Sequence, residues 1–144
     1  MYNLERFIKA QEKEYSNALR EIRNGYKSGH WMWFIFPQLS GLGFSSMSNY
    51  YGISSIDEAR EYLKNEILSR RLIEISTLLL NIDGKDIDEI LGYPDNLKLQ
   101  SCMTLFNEAD NSIIVFKEIL DKYYDGKKDA KTLELLDIRS QYML

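Results

Sequence analysis

Apolar residues recur at three- and four-residue intervals along nearly the whole chain, beginning with Leu4, Phe7, Ile8, Tyr15, Ala18, Leu19 and Ile22. That spacing gathers them on one face of an amphipathic helix. Asn24-Gly25, both tolerant of left-handed backbone, predicts where it stops. Ser55-Ile56-Asp57-Glu58 is a capping-box pattern opening a helix through Ala59, Tyr62 and Leu63. Ile67, Leu68, Leu72, Ile75, Leu79 and Ile82 then form a long stripe ending at Gly84. Asp86 begins a short helix carrying Ile87, Ile90 and Leu91, closed by Gly92 and Pro94. Asp95 stands where it can cap the next helix, whose Leu99, Cys102, Met103 and Phe106 share a face. Ser112 predicts the start of a helix through Val115, Phe116, Ile119, Leu120 and Tyr123, ending near Gly126. Asp129 opens the last one, with Leu133, Leu136 and Tyr142 available for docking.

Trp31–Phe36 is ambiguous by pattern, since its bulky residues also suit a buried strand. No partner strand is evident, and a lone strand would leave its backbone groups unpaired. A short helix ending before Pro37 is therefore expected, stacking His30 with Phe34 and Trp31 with Ile35. Residues 40–46 read as a loop, followed by a short helix from about Ser46 to Tyr51 that ends at Gly52. The expected architecture is all-α: a single compact domain over residues 1–144, built from about seven or eight short-to-medium helices.

Composition supports a packed core, with 44% apolar and 12% aromatic residues in 144. The net charge of −4 gives no general attraction to nucleic acid or to an anionic membrane, and neither partner is expected. The adjacent pairs Arg70–Arg71 and Lys127–Lys128 read as solvated helix faces. One cysteine, Cys102, excludes an intramolecular disulfide and a thiolate zinc cluster. With no basic leader before an apolar run and no stretch near ~20 apolar residues, a cytoplasmic location is expected.

Candidate chemistry concentrates in His30–Leu39, which holds the only histidine and both tryptophans. His30 is the side chain whose ordinary titration lies near neutrality, and so the candidate for proton transfer. Trp31 and Trp33 offer flat apolar walls, Gln38 an amide for a ring edge or carbonyl, and Lys27 a nearby cation. Lys98 and Ser101, one helical turn apart, add a charge-stabilising cation and a hydroxyl. The plain alternative makes the aromatic segment core, with Ser101 and Thr104 bonded back to their own helix. Gly41-Leu42-Gly43-Phe44-Ser45-Ser46 can present backbone N–H groups to an anion, or simply be a tight loop capped by serine. It matches neither a P-loop nor a dinucleotide fingerprint. The acidic pair Asp86 and Glu89 fits a helix N-terminus. No metal site is expected, and no particular cofactor is implied.

These residues together resemble the bacterial domain-of-unknown-function family 1810. The resemblance is carried by Phe7 with Ala10-Gln11, His30 through Leu39, Gly41-Leu42-Gly43, Tyr51-Gly52-Ile53, Pro94-Asp95, Lys98-Leu99 and Met103 through Phe106. Its most specific part is His-Trp-Met-Trp-x-x-Phe-Pro-Gln. Asn65-Glu66 stands where relatives typically have His-Pro, and Cys102 where a second serine is common. The resemblance implies a globular all-helical fold and no particular reaction. The calpastatin-like label sometimes attached to such proteins conflicts with this chain, because calpastatin-type inhibitors are extended and disordered whereas these helices are capped and amphipathic.

The expected function is a cytoplasmic helical domain with a pocket for a small planar or anionic ligand, nucleotide-like in character. Lys27, His30, Trp31, Trp33, Gln38, Lys98 and Ser101 would line it. The alternative is a non-catalytic interaction or structural module in which the aromatic segment is core or interface.

Overall fold

The computed structural model describes residues 2–142; the side chains of residues 141 and 142, including the docking candidate Tyr142, lie outside the described set. Among the described residues there are nine helices: α1 (Glu5–Arg23), α2 (Met32–Ile35), α3 (Ser46–Tyr51), α4 (Ile56–Lys64), α5 (Glu66–Leu80), α6 (Ile87–Leu91), α7 (Asp95–Ala109), α8 (Val115–Tyr124) and α9 (Ala130–Tyr142). The fold is all-α, with nine short-to-medium helices among the described residues against the expected seven or eight. None is long and apolar enough to cross a membrane.

Helix α7 is the centre, packed against α4, α6, α8 and α9. Every residue from Ser101 to Asn107 is buried, so the helix has no solvated face there. Its polar side chains are satisfied locally: Ser101 Oγ donates to the Leu97 carbonyl at 3.2 Å and Thr104 Oγ1 to the Gln100 carbonyl at 2.8 Å. An aromatic series crosses the core from α1 to α8. Phe7 meets Tyr62 at 5.2 Å, Tyr62 meets Phe106 at 5.1 Å, and Phe106 meets Phe116 at 6.0 Å between ring centroids.

Most predicted stops and starts hold. Helix α1 ends in a Schellman motif: Gly25, at φ +78°, donates to the Ile22 carbonyl and Tyr26 to that of Glu21. Ser45, Ser55, Asn65 and Asp86 cap α3, α4, α5 and α6, and the Asp86–Glu89 pair forms a reciprocal capping box. Asp129 accepts from both the amide and the hydroxyl of Thr132 at the start of α9.

Four expectations are corrected. Asp95 is the first residue of α7 rather than its cap; Pro94 takes the cap position, and the Asp95 carboxylate turns to lysines instead. Glu58 closes no box with the Ser55 amide, since its carboxylate accepts from Ser54 N and Oγ and pairs with Arg6 at 3.0 Å. Helix α8 begins at Val115, because Ser112 folds back to bond Asp110 through its amide and hydroxyl. Helix α2 begins only at Met32, so His30 is not helical and does not stack on Phe34.

After α2 the chain makes a single parallel bridge, Leu39 to Ile53. Ser40 N donates to Ile53 O and Ile53 N to Gln38 O, closing the base of an excursion that carries α3. Two arginines tie that base down. Arg6 of α1 donates to the Tyr50 and Gly52 carbonyls, and Arg139 of α9 to the Ser54 carbonyl.

Candidate ligand-binding cleft

The segment leading into α2 is shaped by one buried carboxylate. Glu21 Oε1 accepts from Ser28 N at 2.7 Å, Gly29 N at 2.8 Å and Trp31 Nε1 at 3.0 Å. Burial pushes its pKa up, but the amide bonds from Gly29 and Ser28, the Trp31 indole and the Lys27 charge together hold it below the ordinary value. Gly29 is needed here, because a Cβ would sit 2.8 Å from Trp31 Cδ1.

This arrangement separates the predicted site residues. Trp31 is fully buried and belongs to the core. Lys27 donates to the Gly29 carbonyl at 2.6 Å, pairs with Asp95 at 2.7 Å and lies 5.0 Å from the Trp31 ring centroid. With 8% of its side chain exposed, it is a structural cation. His30 is exposed.

Lys98, Trp33 and Gln38 come together elsewhere. Lys98 Nζ lies 4.7 Å from the Trp33 ring centroid, a cation–π distance, and 3.5 Å from Asp95. All three line a small inner pocket of about 10 Å³, with Met32, Ser48 and Tyr51. Trp33 Nε1 is buried without an acceptor among the described residues. Lys98, Gln38 and Ser48 also line an outer cleft of about 340 Å³, joined by Leu42, Gly43, Pro94, Leu97, Ser101, Asp129 and Lys131. The two spaces share a wall, and neither has His30, Trp31 or Lys27 on its lining.

Ser101 reaches the cleft wall, with its hydroxyl directed at its own helix. The glycine-rich segment contributes Leu42 and Gly43, while Ser45 caps α3 by accepting from Ser48 N at 3.1 Å. Sequence reasoning missed Ser48, Leu97 and Lys131. Ser48 is marked only by its place three residues after a capping serine, and Lys131 by its place beside the Asp129 cap. Cys102 is buried, and burial pushes its thiol well above the ordinary range, which makes it inert. Among the described residues, no group of three or more His, Cys, Asp or Glu side chains is placed to hold a metal ion.

The structure resembles a crystal structure described as a conserved hypothetical protein from Mycobacterium tuberculosis. The TM-score is 0.92 and the identity 48%, covering 93% of this chain and 96% of that one. No curated protein matches the chain. Residues 1–136 match the family model described as protein of unknown function (DUF1810), and the chain belongs to that family.

Proposed function

We propose that the cleft between the α3 excursion, α7 and the start of α9, with the inner pocket against α2, binds a small planar or anionic molecule, nucleotide-like in character. The observation that carries this reading is Lys98. Its ammonium lies over the Trp33 indole and faces both the inner pocket and the outer cleft. A concave site of about 340 Å³ falls at the lower end of ordinary small-molecule pockets. Its lining combines an apolar wall (Leu42, Pro94, Leu97) with polar and charged groups that can orient a ligand (Gln38, Ser48, Lys98, Lys131). The proposal concerns binding, and leaves His30 outside the site.

A thermal-shift screen against nucleosides, nucleotides and aromatic acids tests it. A ligand present at a hundred times its dissociation constant stabilises the fold by about 2.7 kcal/mol. A hit retained in His30→Ala and lost in Lys98→Met supports the cleft. A hit unaffected by Lys98→Met and Trp33→Phe places the ligand elsewhere.

A second reading, a protein-interaction module, draws support from two exposed aromatics beside the cleft. Phe44, 91% exposed, follows Gly43, and Tyr93, 81% exposed, precedes Pro94. Aromatic anchors dominate protein interfaces. In that reading Phe44→Ser and Tyr93→Ser abolish a complex while leaving small-molecule binding unchanged.

A further inference from the structure

We infer that the part of the ligand entering deepest is an oxyanion, with one carboxylate or phosphate oxygen held by Trp33 Nε1–H, Lys98 Nζ and the Gln38 carboxamide. This inference rests on the cleft reading above and adds the chemical class to it.

Three features of the residues that line the inner pocket point the same way. The first is the Trp33 indole N–H, which can only donate and is buried with no acceptor in the protein. A buried donor left unmade is costly, and native structures almost always supply a partner. The second is Lys98, whose ammonium carries three donors. Its ion-pair partner Asp95 stands at 3.5 Å through Oδ1 while Oδ2 pairs with Lys27 at 2.7 Å, so one carboxylate serves two cations and leaves a net positive charge. The third is Gln38, whose side-chain amide makes no hydrogen bond to the described residues although the residue is half-buried. No carboxylate lines this inner space; the Asp95 carboxylate that pairs with Lys98 at 3.5 Å lies off the lining and is also neutralised by Lys27.

Size sets the stoichiometry. About 10 Å³ is room for one water-sized atom, and so for a single oxygen. The rest of the ligand must then lie in the outer cleft against Leu42, Pro94 and Leu97. Lys98 already occupies the Trp33 ring face at 4.7 Å, so a ligand ring does not stack there. Asp129, the acidic residue of the outer wall, accepts from Thr132 N and Oγ1 through Oδ2, and its charge is outweighed by Lys98 and Lys131 on the same lining.

Isothermal titration calorimetry on the full chain tests the class with matched probes at constant ionic strength. Benzoate is compared with benzamide, adenosine 5′-monophosphate with adenosine, and inorganic phosphate is titrated alone. The expected result is at least tenfold tighter binding of one anion than of its neutral counterpart, a difference of about 1.4 kcal/mol. That preference should disappear in Lys98→Met and shrink about threefold in Trp33→Phe, which keeps a ring but lacks the donor. Benzoate and phosphate sort a carboxylate from a phosphoryl group. Equal binding of charged and neutral partners, still lost in Leu97→Asp, overturns the oxyanion and leaves the cleft standing. If no anion binds but a neutral screening hit depends on Leu97, the class again falls alone. If no probe or screening compound binds, both fall.

Discussion

Asp95 accepts Lys27 and Lys98 at 2.7 and 3.5 Å, although its position in the sequence is that of a helix cap. The Lys27 side chain is almost wholly buried, so removing its carboxylate leaves a poorly solvated cation. Asp95→Asn should therefore cost roughly 2 kcal/mol, read as a fall in the urea midpoint. An unchanged midpoint would show that the pair contributes nothing. Glu21 gives a pH prediction. Its carboxyl is held below the ordinary value of 4.5 in the folded state, so the unfolded chain takes up the proton first. Stability from this group is full above about pH 4.5 and is lost as the pH falls through the lower folded value. Melting temperature against pH should drop in this range less steeply for Glu21→Gln than for the parent, and parallel curves would contradict it. At this scale the sequence revealed where aromatic side chains concentrate but not where they point. The buried carboxylate of Glu21 draws Trp31 inward, while Trp33, two residues on, meets a lysine from a distant helix. Nothing local to either tryptophan distinguishes them.

The helices themselves were the most legible feature, because their ends are written in single residues. Asn65 is a cap that the sequence reading did not pick out. Its side chain accepts from Ile67 N and Leu68 N, both at 3.1 Å, at the junction of α4 and α5. Asn65→Ala should destabilise by about 1 kcal/mol while Asn65→Asp stays near neutral, measured by denaturant unfolding. Equal losses in both variants would mean that the cap is not the cause. Asp95 and Ser112 were misread because capping residues are recognised by type, whereas their side chains answer to whatever lies within reach. Helix α7 was misread differently. Leu99, Cys102, Met103 and Phe106 predict one buried face, yet four other helices surround it and Ser101, Thr104 and Asn107 are buried as well. Periodicity reports a face when a helix has a solvated side, and α7 has little of one.

The whole molecule rests on a core whose aromatic series links α1, α4, α7 and α8. Phe106 is fully buried at its middle, so Phe106→Ala should cost about 3–5 kcal/mol in calorimetric or denaturant unfolding. A loss below 1 kcal/mol would require the core to close over the gap. That core and the Arg6 and Arg139 tethers hold the α3 excursion opposite α7, which forms the cleft. Such long-range closure has no sequence signature: of the seven residues expected in one pocket, the structure shows the meeting of Lys98, Trp33 and Gln38 while leaving His30, Trp31 and Lys27 off its lining. The chain's two tryptophans make that meeting directly observable. In a two-dimensional ¹H–¹⁵N spectrum their indole N–H groups give separate signals, Trp31 bonded to Glu21 and Trp33 without a partner. On titration with benzoate or adenosine 5′-monophosphate, the Trp33 indole signal should move and saturate while that of Trp31 stays in place. A stationary Trp33 signal under every ligand that stabilises the protein would contradict the cleft.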